Sequence, residues 1–170
     1  SCANAGATGE VLQMAADLAA ARAEGVDFIV ACLHWGNEYE RRENVGQRSL
    51  AAFLRRNGVG VVVGSHPHVV QPWRADSSHV VLYSLGNLVS NQRRRYCDGG
   101  LLAEVEVVKR VAAGVPTMHY AAQAVPVWVA LPDYRILPPE VADTLAMPPH
   151  ARAAYDRFMQ DTRRLLDERE

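Results

Sequence analysis

Val59-Gly60-Val61-Val62-Val63-Gly64-Ser65-His66-Pro67-His68 is the stretch whose reading decides the fold. Valine dominates its first five residues, with no polar alternation. A short, wholly apolar run of this kind is the pattern of a strand buried on both faces, as in a parallel sheet. It breaks off into a loop of glycine, serine, proline and two histidines. Gly64 is read as permitting a sharp exit from the strand. Immediately upstream, residues 45–57 place Leu50, Phe53 and Leu54 on one helical face and Arg48, Arg55 and Arg56 on the other, and Asn57-Gly58 closes the helix. The unit is therefore helix, apolar strand, histidine-bearing loop.

The same plan occurs once before it. Residues 8–24 carry Val11, Leu12, Met14, Ala15, Leu18 and Ala19 at near-helical spacing, with Thr8 as N-cap and Gly25 as the stop. Val26 to Leu33 reads as a second buried strand, ending in His34-Trp35-Gly36-Asn37-Glu38-Tyr39. In open α/β sheets, ligand sites lie at the carboxyl ends of parallel strands. Two such loops on adjacent units should face one crevice and bring His34, His66 and His68 into a common hollow.

After residue 70 the pattern turns to β. Pro72 to Ala75 and His79 to Ser84 read as paired strands around the polar turn Asp76-Ser77-Ser78. Leu101 to Val108 reads as a strand with one wet face, Leu102, Val105 and Val107 alternating with Glu104 and Glu106. Met118 to Val129 is its partner across a turn at Gly114, with Pro126 expected at an edge or bulge. Residues 150–168 form a charged helix with Tyr155, Phe158, Leu165 and Leu166 on its apolar side. The expected fold class is α/β: two helix–strand–histidine-loop units, then mainly antiparallel strands and a terminal helix. Residues 1–138 make up the main body, and 139–170 are a helical extension packed on it.

Composition narrows the function classes. A chain of 170 residues with 49% hydrophobic content can bury one core. A net charge of -1 gives no signal for nucleic acid or an anionic membrane. No stretch reaches the roughly 18 to 20 apolar residues that span a bilayer, and no export signal opens the chain. The start at Ser-Cys-Ala-Asn, without an initiator methionine, reads as a fragment. Three cysteines make no disulfide framework. Cys32 is read as a small buried hydrophobe, while a single Cys2–Cys97 bridge stays open.

Chemistry concentrates in the histidines. Two imidazoles one residue apart, in a proline-stiffened loop, should point to different sides of the backbone. They could serve two ions, or one ion and a substrate oxygen, imidazole being a common ligand of zinc and related metals. Solvated loop histidines are the competing reading, against which the strand-end context and His34 weigh. His79, His119 and His150 read as structural or surface residues. Arg93-Arg94-Arg95 offers guanidinium forks suited to phosphate or carboxylate, Arg93 being the residue assigned to substrate, although such a run is usually a solvated loop.

Three motifs then point to a family. His34-Trp35-Gly36-Asn37-Glu38-Tyr39 resembles the HWGxEY segment of the bacterial capsule-synthesis (CapA, poly-γ-glutamate) family. Gly64-Ser65-His66-Pro67-His68-Val69-Val70-Gln71 resembles its GxHPHVxQ segment, and Tyr83-Ser84-Leu85-Gly86-Asn87-Leu88 its YSLGNF segment, with Leu88 where phenylalanine is usual. The resemblance covers residues 10 to about 108. It implies the second half of a metallophosphoesterase-like α/β/β/α sandwich around a dinuclear centre of divalent ions (Mn, Zn or Fe). His34, His66 and His68 would be metal ligands and the catalytic residues. Glu38, Tyr39, Tyr83 and Asn87 would support the ligands or face substrate. The acidic residues that the family's first half supplies are absent from this chain. Three imidazoles could hold one ion but cannot bridge two ions roughly 3.5–4 Å apart, so one ion or none is expected here and the fragment alone should be inactive.

The resemblance further implies an anionic polymer or phosphoester substrate, other capsule-synthesis proteins and the N-terminal half of the same domain as partners, no nucleic acid, and a place at the bacterial envelope. A metal-dependent hydrolase of exopolymer metabolism and a non-catalytic polymer-binding or export component both remain open, because fold does not fix function.

Overall fold

A computed structural model describes residues 4–167 of the chain. In order, the elements are α1 (Asn4–Ala23), β1 (Val30–His34), α2 (Val45–Arg56), β2 (Val61–Ser65), β3 (Trp73–Asp76), β4 (His79–Leu82), β5 (Gly99–Ala112), β6 (Val115–Ala130), β7 (Arg135–Leu137), α3 (Pro139–Ala142) and α4 (Pro149–Asp167). The fold is mixed α/β with two sheets. The first has the order β1-β2-β4-β3, and the second β5-β6-β7. β1, β2 and β4 run parallel, as the two repeated units require, and β3 closes one edge antiparallel to β4. The second sheet is antiparallel throughout.

Three apolar clusters hold these elements together. Leu18 of α1 and Ala51 and Leu54 of α2 pack with Val62, Val81 and Tyr83 on one side of the first sheet. Its other side meets the second sheet, where Val61, Val80 and Leu82 pack against Ala103, Val105, Tyr120 and Ala122. Leu101 and Trp128 of the second sheet then pack with Tyr155, Phe158, Met159 and Leu165 of α4. The 139–167 segment thus shares its core with the strands before it.

α2 starts where its cap dictates. The Asn44 side chain accepts from the Gln47 amide at 2.9 Å, and the Gln47 side chain accepts from the Asn44 amide at 3.0 Å, a complete capping box. The Asp76-Ser77-Ser78 turn also forms as expected, Asp76 Oδ1 accepting from the Ser78 amide at 2.8 Å. β7 pairs only with Trp128 to Ala130, so Pro126 lies where β6 has a neighbour on one side alone, in keeping with its missing donor.

Four expectations fail for identifiable reasons. Thr8 lies inside α1, which already runs from Asn4; alanine-rich sequence favours helix on both sides of it. β1 is shorter than the Val26–Leu33 run and is an edge strand. Ala31 and Leu33 pack inward, but Val26, Phe28 and Val30 are 49%, 43% and 46% exposed. Cys32 shares the uncovered face and is exposed, so it is no core residue, while Cys97 is buried and free. Cys2 lies outside the described residues. Finally, Leu102 has the parity of Glu104 and Glu106 and faces solvent with them.

Candidate functional site

The carboxyl ends of β1 and β2 are in register, His34 opposite Ser65. Backbone and side-chain bonds lace the loops beyond them together. The Trp35 amide donates to Ser65 O at 3.1 Å, the Tyr39 amide to Pro67 O at 2.8 Å, and Ser65 Oγ to Leu33 O at 3.1 Å. Pro67 is fully buried and anchors the second loop between its two histidines.

The three imidazoles meet. The His34 and His66 ring centroids are 4.4 Å apart, and those of His66 and His68 6.4 Å. The turn that achieves this is not made by Gly64. His66 and His68 themselves take the left-handed region, at φ 102° and 60°, where a non-glycine residue costs about 1–3 kcal/mol. Gly64 is required for room. A Cβ there would lie 2.0 Å from Tyr83 O and 2.3 Å from Trp35 Nε1.

His68 is oriented from behind by Asn87. Asn87 Nδ2 donates to Cys97 O at 2.8 Å, which fixes the amide so that Oδ1 faces His68 Nδ1 at 3.1 Å. Oδ1 can only accept, so the neutral ring carries its proton on Nδ1 and leaves Nε2 as the electron-pair donor. Glu38 Oε1 lies 4.0 Å from that Nε2. Tyr39, itself at φ 67°, stacks on His68 with 6.0 Å between centroids. A groove of about 540 Å³ opens beside His34, floored by Leu33, Val63, Leu85, Leu101 and Leu102.

Two assigned residues do other work. Tyr83 is buried, stacks on Trp35 at 5.8 Å, and has its hydroxyl pKa raised by burial. It is a core residue, and the site uses its backbone: Trp35 Nε1 donates to Tyr83 O at 2.8 Å. Arg93 is turned to the second sheet, donating to Val129 O at 2.9 Å. The residue of that run beside the site is Arg94, whose guanidinium carbon lies 3.8 Å from the Tyr39 ring centre. Gln71 also went unassigned. It is buried, accepts from Gln47 Nε2 at 2.8 Å and donates to the carbonyls of Glu40 and Arg42, tying the first histidine loop to α2. Its position at the end of the His66–Gln71 motif was the available signal.

The other histidines stand apart from this cluster in role. His79 is buried, its Nδ1 3.1 Å from Val59 O, and desolvation lowers its pKa. His119 is half-buried in β6 and His150 is exposed. Among the described residues, no three His, Cys, Asp or Glu side chains form a closed set of metal ligands. Among these residues, too, the carboxylates that a two-ion centre needs are not gathered beside the imidazoles.

Comparison with known proteins agrees with these motifs. Residues 3–92 match the model of the bacterial capsule synthesis protein PGA_cap family. The PGA biosynthesis protein CapA of Bacillus subtilis (strain 168) is 42% identical over 66 residues, which are 39% of this chain and 17% of that protein. The capsule biosynthesis protein CapA of Bacillus anthracis is 38% identical over 66 residues, 39% of this chain and 16% of that protein. The matched stretch is thus a small part of either relative's length. With more than half of its residues matched, the chain belongs to the bacterial capsule synthesis protein PGA_cap family.

Proposed function

We propose that this chain supplies the histidine wall of a metal-dependent, phosphoesterase-like centre that serves capsule or poly-γ-glutamate-type polymer synthesis. The observation that carries the reading is the convergence of His34, His66 and His68 from the ends of two neighbouring parallel strands. Helices on the outer sides of two packed sheets support the corresponding α/β/β/α sandwich. His68 would bind a divalent ion through Nε2, because Asn87 occupies Nδ1, and His34 and His66 would complete this side of the shell. When bound, such an ion would supply Lewis acidity to a phosphoryl oxygen. The remaining ligands, carboxylates above all, would come from polypeptide outside these 170 residues, of which the 66 that align cover only 17% and 16% of the relatives they match. Glu38, whose carboxyl group lies 4.0 Å from His68 Nε2, would hold a water at the site by hydrogen bonding. The envelope is the expected place of action, given the relatives' capsule roles.

A second reading is favoured by one observation, the lack of a closed ligand set among the described residues. The protein would then be a non-catalytic polymer-binding or export component that retains the fold.

Metal analysis of the full-length protein is the test. A transition-metal ion should be present, and His66→Ala with His68→Ala should remove most of it. Unchanged stoichiometry in the double variant refutes the ligand assignment. Hydrolysis of phosphodiester and phosphomonoester substrates with added manganese or zinc then separates the two readings.

A further inference from the structure

The three consecutive arginines of residues 93–95 look alike in the sequence and are held quite differently in the fold. Arg93 donates to Val129 O on β6 at 2.9 Å. Arg95 pairs with Asp161 of α4 at 3.2 Å and lies over the Tyr96 ring. Both are struts that pin the loop to opposite neighbours. A turn from Arg94 to Cys97, closed by the Cys97 amide donating to Arg94 O at 2.9 Å, presents Arg94 at its start. Its guanidinium carbon sits 3.8 Å from the Tyr39 ring centre, and Tyr39 stacks in turn on His68. Among the described residues, the Arg94 guanidinium makes no hydrogen bond or ion pair.

Stacking uses the face of the guanidinium and leaves its in-plane N–H groups available. Those groups match the fork of a phosphate or carboxylate oxygen pair. Tyr39 is itself fixed, its amide bonded to Pro67 O between the two histidines, so the arginine is indexed to the imidazoles through a rigid ring. Glu38 is the acidic group nearby. It is half exposed and 4.0 Å from His68 Nε2.

We propose that Arg94, presented on Tyr39, is the oxyanion-binding arm of the histidine site and takes a phosphoryl or carboxylate group of the substrate. The proposal rests on the histidine cluster being the reacting end of the site, but anion binding can be measured without any metal. The experiment is an NMR titration of the chelator-treated chain with inorganic phosphate, and separately with glutarate, following the Arg Nε–H and histidine ring signals. Saturable shifts are expected at Arg94, Tyr39 and His68. Arg94→Gln should raise the Kd at least tenfold and Arg93→Gln less than twofold. Because Arg94 is exposed, its variant should keep the wild-type melting midpoint. Whichever probe binds more tightly identifies the oxyanion as phosphoryl or carboxylate. Wild-type affinity in Arg94→Gln, an equal loss in Arg93→Gln, or no saturation with either probe overturns the proposal. Arg94-dependent binding in a protein that holds no metal would leave this site standing and remove the metal reading; a metal-loaded protein indifferent to Arg94→Gln would do the reverse.

Discussion

Gly64→Ala adds one methyl group at the point where the second histidine loop leaves its strand, and the structure leaves no space for it. The new Cβ would stand 2.0 Å from Tyr83 O, 2.8 Å from Tyr83 C and 2.3 Å from Trp35 Nε1. Those atoms belong to one hydrogen bond, Trp35 Nε1 to Tyr83 O at 2.8 Å. Relief requires a movement of about 1 Å or more to restore ordinary contact. Overpacking of this kind costs about 1–3 kcal/mol, and parting the indole from a carbonyl in a part-buried setting costs about 1–3 kcal/mol more. The lower entropy of the unfolded alanine chain returns about 0.4–1 kcal/mol. The net expectation is a loss of about 2–4 kcal/mol, or a fall in melting temperature of roughly 5–15 °C for a domain of this size. Urea denaturation followed by tryptophan fluorescence and far-ultraviolet circular dichroism measures it. Gly25→Ala is the control, since Gly25 has a φ of 74° but no atom within 4 Å of the added carbon, so only backbone strain of about 1–2 kcal/mol applies. A loss at Gly64 below about 0.5 kcal/mol, or no greater than at Gly25, would show that the site is not built against a glycine-sized gap.

Cys32 is exposed while Cys97 is buried with its thiol pKa pushed up by desolvation; Cys32→Ser should therefore remove a fast-reacting thiol in a thiol-disulfide assay yet change stability by less than about 0.5 kcal/mol. A larger loss would return Cys32 to the core. His79 has a folded pKa below its ordinary value because burial disfavours the cation. Its contribution is complete above the unfolded pKa of about 6.5 and is lost as pH falls from there through the folded value. Stability measured between pH 7.5 and 5 (about the range of neutral-to-acid buffers in which histidine titrates) should fall, and His79→Gln should flatten that slope. Asn87 holds the Nδ1–H tautomer of His68. Long-range nitrogen–proton NMR of the neutral ring should show that form in the native protein and a shift toward Nε2–H in Asn87→Ala; an unchanged tautomer would mean that Asn87 does not orient the ring.

Local sequence rules served for the valine run of β2 and the Asp76 turn, which formed as expected. They failed at Thr8, which lies inside α1 and not at its start. Roles that depend on what lies across the sheet were not legible. The apolar run before His34 reads like the one before His66, but an apolar run does not say whether a second neighbour exists. β1 is an edge strand, and the face that Cys32 shares with Val30 is left uncovered while Ala31 and Leu33 pack inward. Likewise nothing in Arg93-Arg94-Arg95 ranks the three, since their partners at Val129, Tyr39 and Asp161 are set by packing between distant elements. The place of Tyr83 was illegible for a related reason. Its motif neighbour Asn87 does reach His68, but the alternation of the chain turns the Tyr83 ring into the core.

Backbone strain bears on the choice between a functional histidine cluster and a solvated loop. Of the non-glycine residues at positive φ, Ala113 and Tyr134 sit in the turns that join β5 to β6 and β6 to β7. Tyr39, His66 and His68 belong instead to the two laced loops, and Tyr96 to the turn that carries Arg94. Each such residue costs about 1–3 kcal/mol, a cost that persists only where the surroundings over-determine the conformation. Here they do: the buried Pro67, the Tyr39-to-Pro67 bond and the Asn87 contact each fix one part of it. Glycine at positions 66 and 68 would remove the strain and keep the turn. Imidazoles stand there instead, with rings 4.4 Å and 6.4 Å from their neighbours in the cluster. On the function proposed above, the ring chemistry at these positions, and not the turn alone, would be what the loop is shaped to hold.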